Sequence, residues 1–372
     1  MHKNGVFTMS ALWSALRRGG LGLLIACGIA PYSVAATFAL PTDGSTVVGK
    51  TIVVSPRQDN TLLDIARHFD VGYDEIVFAN PHASVWLAAK QVVVPRQFIL
   101  PPKPWNGIII NISQRRLFFF LPAAQNQPPQ VITYPVSIAR EGWSTPLGTT
   151  KITAKYRDPG WFVPKSIHDE HLKEEGVELP EYFPPGPDNP MGMLAMQTGF
   201  PGIFIHGTNK PWGVGMRTSH GCLHLYPEDA AELFPQLKPG TPVRVIDEPF
   251  LFGLDQDRWV MASYEPVQEY ADKRPLVVRA ESNLTELALE ESRVPLPADI
   301  DGGRIERLTH VYQSVPVDIS AAQPDVQDKL KALPVEPYNF PPYGSEANNA
   351  QVPVQPAAAG ERAGAVTAPP AQ

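Results

Sequence analysis

Two hydrophobic periods alternate along this chain. In Thr61–Phe69 the apolar residues Leu62, Ile65, Ala66 and Phe69 recur at helical spacing, and a second short helix is predicted over Tyr73–Ala79, stopped by Asn80-Pro81. The apolar triplet Ile52–Val54 and the run Gln91–Val94 flank that pair and predict strands, so residues 49–97 read as a small βααβ unit. Pro101-Pro102-Lys103-Pro104 is a linker. Beyond it the pattern turns to strands: Gly107–Asn111 and Leu117–Leu121 around a hairpin signal, then Val131–Ile138, Thr149–Lys155, Met193–Thr198, Ile203–His206 and Thr241–Ile246. Pro227–Leu237 predicts a helix, with Pro in the first turn, Glu228 and Asp229 at the positive end of the dipole, and an apolar stripe through Ala230, Leu233, Phe234 and Leu237. Arg157–Pro190 reads as a long irregular, proline-rich insertion of the kind that covers active sites. Residues 248–313 read as a C-terminal extension with strands at Arg258–Tyr264 and Leu276–Arg279. From 314 to 372 the chain reads as a Pro/Ala-rich tail, with one helix at Val326–Ala332 and disorder expected from 336.

Composition narrows the picture. A chain of 372 residues that is 43% hydrophobic can bury more than one core, and 41 prolines argue against an all-helical fold. The net charge of −7 disfavours nucleic acid as a partner. Lys3, Arg17 and Arg18, the apolar run Leu21–Ala30 and the small residues Ser33–Ala36 read as an export signal over residues 1–36, with the periplasm as destination; Cys27 also sits where a lipoprotein cleavage box would place it. Removing that segment leaves 28 Lys and Arg against 38 Asp and Glu and a single cysteine, Cys222. A lone exported thiol is a hazard unless buried or used.

Cys222 stands in Ser219-His220-Gly221-Cys222-Leu223-His224, downstream of His206-Gly207 at the end of an apolar strand. A cysteine nucleophile needs a base or a positive field to lower its pKa, and backbone amides for the oxyanion; Gly221 permits a close backbone approach. His220, Cys222 and His224 alternate and with His206 could instead hold zinc, although that spacing is unusual. A third reading keeps Cys222 as a structural thiol in a non-catalytic wall-binding protein.

The segment resembles the L,D-transpeptidase catalytic domain, also called YkuD, whose signature is an upstream His followed by Ser-His-Gly-Cys. Ser144-Thr145-Pro146-Leu147-Gly148, Pro185–Gly192 and the opening Thr37–Pro41 extend the likeness toward the ErfK/YbiS/YcfS/YnhG branch, and residues 49–97 resemble a LysM module through Asp59–Leu62, Ile65-Ala66, Ala79–Pro81 and Val93–Pro95. The resemblance implies a mainly β protein. Its β-sandwich-like catalytic domain would cover 105–247 and carry one or two helices, beside the LysM-like module and the disordered tail. It implies no metal and no cofactor. It implies peptidoglycan as substrate and Cys222 as a nucleophile that forms a thioester on a tetrapeptide stem. His206 would be the base, Gly207 its orienter, and the amides of His220, Gly221 and Cys222 the oxyanion site. The acyl acceptor would be a diaminopimelate amine or the Lys of an outer-membrane lipoprotein. Ser219, Arg217 and His224 are expected to bind substrate; His224 stands where the family commonly has Arg, and Arg217 could compensate.

Overall fold

The computed structural model describes residues 36–86, 89–122, 128–290, 295–296, 298–321, 323–324, 326–344 and 364–367. Cys27 and the expected export signal up to residue 35 lie outside the described residues. Among the described residues no helix is long and apolar enough to cross a membrane.

The fold is mainly β. Its centre is a nine-stranded sheet running from strand Ala36–Ala39 at one edge to Leu223–His224 at the other. Gly107–Asn111 pairs antiparallel with Arg116–Phe120 and parallel with Pro242–Ile246. The sheet turns its corner in Gly148–Arg157. The first four residues of that strand pair with Pro242–Ile246, and those from Ile152 onward pair with Leu194–Thr198 across an irregularity between Ile152 and Ala154. The main core lies inside the curl, where Ile108, Ile110, Leu117, Ile152, Met196, Ile205 and Leu223 are covered by the helix Pro227–Gln236 through Ala230, Leu233 and Phe234.

The βααβ module forms as its periods predict. Ile52–Ser55 and Val92–Val94 pair antiparallel around the helices Leu62–His68 and Tyr73–Ala79. Thr61 and Asp64 close a capping box on the first helix. The turn between the helices is bolted to the larger sheet. The buried Arg116 guanidinium meets the Glu75 carboxylate at 2.5 and 2.7 Å and donates to Asp70 O; Arg67 holds Glu228 with two bonds of 2.6 and 2.8 Å; Tyr226 Oη donates to Val71 O.

Three expectations are corrected. Leu276–Arg279 is not a strand but the start of the helix Leu276–Glu290, because Ala280 and Leu284 continue a helical stripe against Phe250 and Trp259. The tail does not begin at 314. Strand Gln313–Asp318 pairs with Arg258–Ser263, helix Val326–Lys331 packs Val326 and Leu330 on the same cluster, and strand Val335–Pro337 adds in parallel to the module strand Ile52–Ser55. Tyr338 is then buried among Leu62, Ile65 and Val92, and His68 packs on the rings of Tyr338 and Phe340. These partners are remote in sequence, so local composition could not show them. The insertion 157–190 is structured as well: the strands Gly160–Phe162 and Tyr182–Phe183 pair, and Lys165–Glu175 is a helix ended by Gly176. His168 and His171 sit on that helix part-buried, beside Glu178 and Glu175.

Candidate active site

Strand Phe204–His206 lies between Leu194–Thr198 and Leu223–His224, the latter pairing being parallel with His206 opposite His224. That register sets the two imidazoles side by side, ring centroids 4.6 Å apart, and puts Cys222 at the head of the last strand. His206, Ser219, His220, Cys222 and His224 all line one cleft of about 1130 Å³, whose far wall comes from the insertion, including Trp161, Glu170 and Phe183.

His206 is 2% exposed. Its Nδ1 lies 2.6 Å from the carbonyl of Gly207, and the carbonyl of Met191 is a second partner. Carbonyls only accept, so Nδ1 carries the hydrogen and Nε2 keeps the lone pair. Burial lowers the pKa of His206 to about 4, which leaves the ring neutral. His224 is lowered well below the ordinary value, by burial first and by the neighbouring imidazoles second. A neutral ring carries no standing charge for a carboxylate; His224 packs on the His206 ring while it also lines the cleft.

The thiol of Cys222 donates to Gly202 O at 3.5 Å and receives the amide of Phe204. Burial outweighs that amide and pushes the thiol up to about 11. The expected standing field that would lower it is absent among the described groups at the sulfur: the imidazoles of His206 and His224 are neutral. The cleft thus holds a neutral thiol and a neutral imidazole.

The loop before Cys222 is shaped from within. Gly221 has φ +117°, and a Cβ there would come within 3.0 Å of Ile203 Cδ1 and 3.1 Å of Ser144 O, so glycine is required. Ser219, 2% exposed, accepts the Gly221 amide at 3.1 Å and donates to Cys222 O, while Thr145 Oγ1 donates to Gly221 O at 2.8 Å. Ser219 therefore shapes the turn with its hydroxyl, and the Gly221 amide, expected at the oxyanion, is held by Ser219. Arg217 does not line the cleft. Its Nη2 meets Glu269 at 2.7 Å and its Nε donates to Ala139 O, so it cannot stand in for the family Arg.

His220 brings in residues that the sequence reading missed. Its Nε2 lies 2.8 Å from Glu170, which also takes Trp143 Nε1 and pairs with Arg140; the Trp143 ring meets the imidazole edge-on. Burial and Arg140 depress His220, and Glu170 opposes them. Glu170 could have been found only through the helix Lys165–Glu175, whose signal was a charged run ended by Gly176 with little apolar stripe beyond Ile167. Among the described residues no group of three or more His, Cys, Asp or Glu is arranged to hold a metal ion. His220 turns to Glu170 while His206 and His224 face each other, which removes the support for a zinc set.

Comparison with known proteins places this geometry. The L,D-transpeptidase catalytic domain family matches residues 106–245. The chain is 33% identical to the Probable L,D-transpeptidase ErfK/SrfK of Salmonella typhimurium over 80% of this chain and 95% of that protein. It is 38% identical to the Probable L,D-transpeptidase YbiS of Escherichia coli K12 over 60% and 72%. It is 30% identical to the Probable L,D-transpeptidase YcfS of the same organism over 80% and 92%.

Proposed function

The chain belongs to the L,D-transpeptidase family and is an enzyme of that kind, and on that premise we propose that it works in the periplasm as a cysteine acyltransferase on peptidoglycan tetrapeptide stems. His206 Nε2 takes the proton from Cys222 Sγ as the sulfur adds to the carbonyl of the L-centre preceding the terminal D-Ala. The C–N bond breaks, and the imidazolium returns its proton to the departing D-Ala amine. An acceptor amine then attacks the thioester, gives a proton to His206 and expels the thiolate, which takes the proton back. The amide bond is exchanged with no change of oxidation state. The amides of His220 and Cys222 serve the oxyanion, and His220, steered by Glu170, supports the loop.

The observation that carries this reading is the pairing of His206 with His224, which seats a correctly protonated base beside the strand led by Cys222. For the acceptor, the carboxylates Glu170, Glu174, Glu175 and Asp188 outnumber Arg140 and Lys210 in the lining and favour a cationic amine, such as a lipoprotein Lys, over the zwitterionic diaminopimelate stem. The βααβ module is proposed to hold glycan as a LysM unit. The deciding experiment incubates the purified protein with tetrapeptide muropeptides, with and without a Lys-ended acceptor peptide, and weighs the products. Cys222→Ala should stay folded and release no D-Ala; turnover by the folded variant would overturn the mechanism.

A further inference from the structure

The wall of the cleft opposite His206 is a ribbon of two very short strands, Gly160–Phe162 and Tyr182–Phe183, joined by two residue pairs. Its inward rings, Trp161 and Phe183, stack at 5.7 Å and line the cleft. So small a ribbon does not hold itself in water. A third strand completes it. Ala365–Thr367 lies parallel to Gly160–Phe162, with Val366 opposite Trp161. Val366 is 3% exposed, in a cluster with Met191, Ala195 and Phe204, and Trp161 and Cys222 pack against that same cluster. Two members of the cluster hold the chemistry directly: the carbonyl of Met191 faces His206, and the amide of Phe204 faces the Cys222 sulfur.

We propose that the outer edge of Gly160–Phe162 is a strand-addition site for an extended peptide running parallel to it that carries a β-branched apolar residue opposite Trp161, and that the chain's own C-terminal segment Gly364–Thr367 is its occupant. The segment meets the seat through Val366, which fills the apolar hole while Gly364 and Ala365 stay exposed. The backbone bonds of strand addition are indifferent to sequence, so selectivity rests on Val366. Nineteen residues, 345–363, separate this segment from the part of the tail that crosses the βααβ module, so the seat is filled by intramolecular association at high effective concentration. Filling it fixes the cleft wall and, through Met191 and Phe204, the positions of the base and the thiol. Val366 is thus a positioning residue.

The test uses the full-length chain. Val366→Asp puts a charge where the cluster is dry and should empty the seat. Amide exchange of residues 160–162 should then speed up while the melting temperature of the whole protein stays close to that of the parent. Acylation of Cys222 by a carbapenem, followed by mass, should slow about tenfold. A synthetic peptide of residues 361–370 added in excess should restore both readouts, and the same peptide with Asp in place of Val366 should not. Unchanged exchange and acylation in Val366→Asp, or failure of the peptide to restore them, would overturn the proposal. The acylation readout rests on Cys222 being the nucleophile. If the parent itself is not acylated, that reading fails, and peptide binding with exchange at 160–162 still judges the seat.

Discussion

At the scale of single residues, the charge state of the resting site decides how it must work. A thiol at about 11 and an imidazole at about 4 are both neutral across the whole neutral range, so in the mechanism we propose the proton moves only as the sulfur attacks. The pKa of His206 is depressed in the fold, so as the proposed base it is competent above about 4 and lost as pH falls through that value. The rate of thiol acylation should therefore rise through about pH 4, stay level through pH 7, and show no limb near 6.5. A stopped-flow acylation profile checks this; a limb near 6.5 would show a solvated imidazole. His206→Ala should lose about 10²–10⁴-fold at pH 7 together with the acid limb. Glu170→Gln keeps the shape but removes the charge facing His220, and should cost about tenfold in kcat with KM little changed, the size of one charge-assisted hydrogen bond. Cys222 and His206, the proposed nucleophile and base, could be picked out because they sit in a dense motif, and the fold brings both to one cleft. Glu170, Phe204 and Gly202 were not, since they reach the sulfur or His220 only through strand pairing and a helix fifty residues upstream.

At the scale of elements, the active-site loop and the βααβ module share backbone. Gly215 has φ +86°, its Cβ position falls 2.4 Å from Tyr73 N and 2.5 Å from Gly72 Cα, and Tyr73 N donates to Val214 O. The strand Arg217–Ser219 leaves from this contact and leads straight to Cys222. Gly215→Ala should cost about 1–3 kcal/mol in denaturant unfolding and slow acylation, whereas Gly302→Ala, at a helix start with open space around it, should do neither. The helix after the loop carries a second coupling. Asp229 is buried against Asp70, and burial first and the Asp70 charge second raise its pKa well above the carboxylate range. The folded protein then holds a proton that the unfolded chain has released, so stability is full below about pH 3.9 and falls as pH rises through the folded value. Asp229→Asn donates to Asp70 without ionising. It should remove that fall and raise the unfolding midpoint at neutral pH; an unchanged slope of stability against pH would show Asp229 ionised from the start. The periodic stripe of Pro227–Gln236 was readable, but its acidic first turn suggested a solvated dipole partner. Only the fold shows that Asp229 points into another element.

At the scale of the whole molecule, the parts that composition assigned to disorder tie the layers together. The strands of the main sheet and both module helices could be read from local periodicity, because each buries its face against neighbours of the same pattern. The segment 335–343 could not, because its partners lie some 280 positions away and its three prolines mimic an unfolded tail. In the fold, Tyr338 is 2% exposed in the module core, Asn60 Nδ2 donates to Phe340 O, and Tyr343 N donates to Asp64. The Arg67 guanidinium, 4.3 Å from the Tyr343 ring, also holds Glu228 on the helix that follows the active-site loop. A chain ended after Leu333 should therefore unfold at lower denaturant, and Tyr338→Ala in the intact protein should account for about 3–5 kcal/mol, the cost of emptying an aromatic site in a packed core. A tail that only trails in solvent predicts identical midpoints for the two lengths. Because Arg67 bridges Tyr343 and Glu228, the shortened protein should also lose acylation rate before it unfolds. Measuring Cys222 labelling at denaturant concentrations below the transition separates this loosening of the module from global unfolding.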